Sequence, residues 1–133
     1  MNAKKNALLI AVNNLKFAAI SKVYIDYNSN DYLDTMYKLI ECSTITSAPC
    51  YGSRKMLENH ITMIGDDEAL FVNKPTLNTI ASLIGGYLEH KQPLFGNFLV
   101  VKYTEDGENA DLTDSDMNMV MREIEALVSQ VQN

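Results

Sequence analysis

From Thr113 to Val131 the chain carries one uninterrupted apolar stripe: Met117, Val120, Met121, Ile124, Leu127, Val128 and Val131. Residues three and four apart share a helix face, so the spacing predicts an amphipathic helix over 113–131. Thr113 is a good first cap, and Asp116 three residues later can answer it, close to a capping box. Met119 falls off the stripe; the helix methionines read as plastic core packing, with self-association through the face that Met119 widens as the alternative. A helix of this kind needs a sheet to cover, and the earlier segments offer one.

Ala7 to Val12 is a six-residue apolar run, too short to span a bilayer and of the right length for a buried strand. Lys16 to Tyr27 is β-branched and aromatic, with Val23, Ile25 and Tyr27 alternating with Lys22, Tyr24 and Asp26. Asn13-Asn14 between the two is a turn signal, so a hairpin is the simplest arrangement. Thr44 to Thr46 favours strand, and Pro49 confines it to an edge. His60 to Ile64 and Glu68 to Val72 flank Gly65-Asp66-Asp67, which reads as a second hairpin. Phe98 to Tyr103 is another short apolar strand.

Two further helices are predicted. Leu33, Met36, Tyr37 and Ile40 place one over about 31–41, with Asn30 as its cap. Lys74-Pro75-Thr76 opens another, with Leu77, Ile80, Ala81 and Ile84 on one face and Gly85-Gly86 as its stop. The expected fold is α+β: one domain over 1–133 with a mixed or antiparallel sheet of five to six short strands. Three helices accompany the sheet, and the last one covers it.

Charge is uneven. From Glu105 onward there are eight acids against one base, Arg122, although the whole chain has a net charge of only −6. Glu105, Asp106, Glu108, Asp111, Asp114 and Asp116 form an acidic loop over 105–112 and the following helix start. Carboxylates are favoured at such a start, and the cluster is also a candidate surface for a basic protein. A calcium loop is disfavoured by the absence of alternating ligands and a closing glutamate. The bases are dispersed, which argues against binding a nucleic-acid backbone.

Catalytic patterns are missing. Cys42 and Cys50 lack metal-ligand spacing with His60 and His90, no disulfide framework is implied, and no GxSxG elbow or phosphate-binding loop occurs. No cofactor is expected. The two thiols read as reduced in a cytoplasmic protein. The loop Tyr51-Gly52-Ser53-Arg54-Lys55 combines an aromatic face, a hydroxyl and two cations, a set that can stack on a base and hold a phosphate. Lys74 and Thr76, at the predicted helix start, form a second candidate anion site.

The run from Ile61 through Leu70 and Asn73 to Asn78, then Leu94 to Val101, then Asp111-Leu112-Thr113-Asp114, resembles a family of small uncharacterised domains. That family is carried by phages and conjugative elements, often near antirestriction genes. Its pattern is a hydrophobic strand, an acidic turn, a short asparagine-containing helix, a "GN" or "GD" before a second strand, and "LTD" opening a final helix. The resemblance covers about residues 60–127, with a weaker echo in Ala7 to Asn13. Where the family usually has paired arginines, this chain reads Lys74-Pro75-Thr76-Leu77. The resemblance implies a mobile-element context, and with the missing catalytic groups it leads to three expectations. The first is a non-catalytic counter-defence protein, oligomeric and in the host cytoplasm, that binds a nucleotide-like ligand through Tyr51, Ser53, Arg54, Lys55, Lys74 and Thr76. The second is an acidic inhibitor of a host defence or DNA-binding protein, and the third an unrecognised hydrolase.

Overall fold

The computed structural model describes residues 4–12, 18–71 and 75–132. Its strands are β1 (Lys4–Val12), β2 (Ala18–Asp26), β3 (Ile45–Pro49), β4 (Ile61–Asp66), β5 (Phe98–Tyr103) and β6 (Asn109–Ala110). The helices are α1 (Tyr32–Ile40), α2 (Arg54–Glu58), α3 (Thr79–Ile84), α4 (Tyr87–His90) and α5 (Asp114–Gln132). All strand pairs are antiparallel, in the order β2-β1-β5-β4-β3, with β6 pairing the end of β5. The chain is α+β, as its patterning predicts. The turn at Asn13-Asn14 lies outside the described residues, but β1 and β2 pair along their whole length.

Register explains why the centres of the middle strands are apolar on both sides. Leu8 lies opposite Val100, which lies opposite Met63; their neighbours Leu9, Leu99 and Ile64 point to the other face. Both faces are therefore buried, and each has its own cluster. On one face Leu8, Ile10, Met63, Phe98 and Val100 pack with Met117, Val120, Ile124 and Leu127 of α5. On the other, Ala7, Ile25, Ile64, Leu99 and Val101 pack with Met36 and Ile40 of α1. The four buried α5 side chains supply on the order of 6–12 kcal/mol of gross burial energy. Most of that is offset by chain ordering.

Several local expectations change. Met119 is half-buried against the core and Met121 is 37% exposed, so the apolar width at Met119 is used inside the molecule. Residue 31, not Asn30, occupies the α1 cap, and its side chain makes no cap bond; the Ser29 hydroxyl instead accepts the Asp31 N–H. Gly65 lies inside β4 rather than in a hairpin turn, because the Phe98 ring covers it and a Cβ there would collide with that ring. The chain then leaves the sheet through a short 3-10 turn, Ala69–Phe71.

The helix expected from Lys74 begins later, at Thr79. Leu77 bridges Phe95, and the Gly96 N–H donates to the Thr76 carbonyl at 2.8 Å, which keeps this stretch extended. Asn78 then caps α3, its Oδ1 accepting the Ala81 N–H at 3.0 Å. Gly86 takes the left-handed conformation (φ 104°) expected at a helix stop, and a short helix that the sequence pattern does not signal, α4, follows at once.

Candidate functional site

The stretch 51–55 is a turn and a helix rather than an open loop. Ser53 caps α2: its hydroxyl accepts the Met56 N–H at 3.2 Å and donates to Glu123 Oε1 of α5 at 2.6 Å. The side chain is buried and committed to the fold, which removes it from the ligand set read from the sequence. Gly52 docks this turn onto the end of α3, donating its N–H to the Ile84 carbonyl at 2.7 Å. A Cβ on Gly52 would collide with the Leu83 carbonyl, so only glycine permits this approach.

That docking brings Tyr51 to His90. Gly86 turns the chain into α4, whose last residue is His90, and Lys91 (φ 58°) ends it. The Tyr51 and His90 rings meet edge to face, 6.2 Å between centroids and 72° between planes. They stand at a cleft of about 400 Å³ whose other walls include Pro49, Gly85, Gln92 and Leu94. Tyr51 is 59% exposed. Of the six residues that the sequence marks for ligand contact, Tyr51 alone among those described lines this cleft. His90 and Gln92 escape a reading of the sequence because no local pattern links them to residue 51; the docking glycine is the one signal there.

The other candidates scatter. Arg54 is exposed and pairs with Glu58 at 3.4 Å, a surface contact within one helix. Lys55 is exposed beside it. Thr76 is half-buried and its carbonyl serves the Leu77–Phe95 bridge region. Lys74 lies outside the described residues.

The acidic set divides. Glu105, Asp106 and Glu108 are exposed on the turn between β5 and β6. Asp111 is turned inward, accepting the Asn6 backbone N–H at 2.6 Å. Asp114 is exposed and lies 3.8 Å from Lys22. Asp116 is buried, taking both Lys102 (3.0 Å) and the Thr113 N–H (3.0 Å). Burial pushes its carboxyl up, but the bonds from Lys102 and Thr113 outweigh this and hold it below the usual value.

Neither thiol is primed for attack. Burial pushes Cys50 up to about 12, and burial together with Asp66 raises Cys42. Both cysteines are free. Among the described residues no cluster of three His, Cys, Asp or Glu could hold a metal ion, and no helix is long and apolar enough to cross a membrane.

A family model described as a domain of unknown function, DUF3846, matches residues 7–125. The chain belongs to the DUF3846 family. Neither the curated proteins nor the solved structures contain a match to it. The expected kinship with an uncharacterised family is thus shown, and the match reaches well before the 60–127 stretch that carries the resemblance. In this DUF3846 domain the motif residues that stand out in the sequence serve the framework. Asn78 donates through Nδ2 to the Ile10 (3.1 Å) and Gly96 (2.8 Å) carbonyls. Asn97 of the "GN" pair accepts the Val12 N–H and donates to Glu41. Thr113 of "LTD" caps α5.

Proposed function

We propose that this DUF3846 domain is a non-catalytic accessory protein of a phage or other mobile element that binds a nucleotide-like small molecule. The observation that carries this reading is the Tyr51–His90 pair over a cleft of about 400 Å³. That volume suits a small planar ligand, and two converging rings are an apt surface for a base. The Gln92 amide can both donate to and accept from a base edge. Arg54 and Lys55 do not line the cleft, so a phosphate would have to reach out of it to meet them on the exposed side of α2. Sequestering such a ligand would deprive a host defence of its signal, the role that the family resemblance suggests. Self-association belongs to the same proposal, and light scattering would measure it.

Calorimetry with cyclic nucleotides and ADP-ribose derivatives tests the reading. At protein near 100 times a micromolar dissociation constant, binding heat is expected with at least one of them. Tyr51→Ala should weaken it roughly 5- to 150-fold, the worth of one base stacked on an aromatic ring. Absence of heat across the panel, or an unaltered affinity in the variant, overturns it.

The acidic-inhibitor reading narrows to Glu105, Asp106, Glu108 and Asp114, whose carboxylates face solvent. It requires binding to a basic protein that weakens steeply with salt. Neutralising those four together should remove that binding.

A further inference from the structure

We infer that a second, apolar cleft on this molecule binds a small anionic amphiphile, independently of the Tyr51–His90 cleft. Leu77, Leu83, Tyr87, Leu88, Pro93 and Val131 wall a cleft of about 470 Å³ between α3, α4 and the end of α5. Three of these side chains keep substantial contact with water: Leu77 at 36%, Tyr87 at 37% and Val131 at 56% exposed. Apolar groups converging on one concave site, rather than scattered singly, mark a place where covering them releases free energy.

The polar content of the cleft says what kind of ligand fits. Thr79 and Gln130 also line the cleft, but both are exposed, and Ser82 contributes no free group, because its hydroxyl donates to the Asn78 carbonyl at 2.7 Å and accepts the Leu94 N–H at 2.7 Å. A ligand rich in hydrogen-bonding groups would find few partners deep in the cleft and would lose its hydration for nothing. Lys91 is not one of the walls, but it stands beside one of them. The Lys91 ammonium lies over the Tyr87 ring, 5.6 Å from its centroid. An apolar body lying against Leu77, Leu83 and Val131 can therefore carry one anionic group to Lys91 beside Tyr87. A cationic head would meet a like charge there.

The two clefts share α4 but use different residues of it. Tyr87 and Leu88 wall the apolar cleft, whereas His90 walls the aromatic one. The left-handed residues Gly86 and Lys91 fix both ends of this helix.

Titrating decanoate into the whole protein, followed by amide and methyl chemical shifts, tests the inference. Saturable shifts at Leu77, Leu83, Leu88 and Val131 are expected, with decyltrimethylammonium binding more weakly than decanoate. Val131→Glu, on an exposed position of a helix, should abolish decanoate binding while leaving the melting temperature near that of the parent. Lys91→Gln should weaken decanoate roughly 3- to 5-fold, the scale of an exposed ion pair, and leave decanol unchanged. Shifts that spread over the whole surface, an equal response to the cationic amphiphile, or unchanged binding in Val131→Glu would each overturn it. Tyr51→Ala should not alter decanoate binding, so failure of this site and failure of the nucleotide reading are told apart.

Discussion

Thr113 and Asp116 cap each other. The Asp116 N–H donates to Thr113 Oγ1 at 3.1 Å, and the Thr113 N–H donates to Asp116 Oδ2 at 3.0 Å. Two amides at the helix start are satisfied at once, and the same carboxylate receives Lys102 from β5. The cap thereby ties α5 to the sheet it covers.

Replacing Asp116 by Asn should destabilise the protein at neutral pH by roughly 2–3 kcal/mol, less than for a fully buried broken pair because Lys102 is partly solvated. The carboxyl is held low in the folded state. Its contribution is therefore complete above the unfolded value of 3.8 and is lost as pH falls through the lower folded value. Urea unfolding at pH 7 and at successively lower pH should show the gap between parent and variant closing below about pH 4. A gap that stayed constant would show that the ionised form is not what matters.

Asn78→Ala should cost about 2–4 kcal/mol, because it removes a helix cap and leaves the Ile10 and Gly96 carbonyls without their donor. Asn78→Asp keeps the cap but turns an oxygen toward those carbonyls. It should be at least as damaging at pH 7, and less so when protonated. Denaturant midpoints of the two variants, read against pH, check this.

Gly52→Ala should lower stability by about 1–3 kcal/mol, since the added methyl meets the Leu83 carbonyl and overpacks the joint. It should also weaken whatever binds between Tyr51 and His90, because the turn can no longer seat against α3. Normal stability combined with normal ligand affinity would show that the turn does not depend on this contact.

Alkylation should separate the cysteines. Cys42 is partly accessible, whereas Cys50 is fully buried with its thiol pushed up to about 12. Iodoacetamide at pH 8 should modify Cys42 first, and Cys50 only after unfolding in urea. Peptide mapping by mass spectrometry reads the order; equal native rates would contradict the burial.

Much of the fold is legible from local pattern. The α5 stripe, its Thr113 cap and the strand Phe98 to Tyr103 are all readable because periodicity and capping involve residues within a few positions of each other. Pro49 marks an edge, and β3 is the edge. Where local pattern misleads, a distant partner has taken over. Gly65 reads as a turn residue until the Phe98 ring is placed on it, and Ser53 reads as a loop hydroxyl until Glu123 arrives from α5.

What the sequence by itself determined was the set of pieces: two-sided apolar strands, a final amphipathic helix, and the absence of a recognisable catalytic motif. Tertiary structure alone decided that β5 lies between β1 and β4, that Asp116 turns inward while Glu105 stays in water, and that Tyr51 meets His90. The reason is physical. Spacing along a chain dictates which side chains share a face, but which faces meet depends on packing the whole chain at once, and a cleft exists only where two such faces stop short of contact.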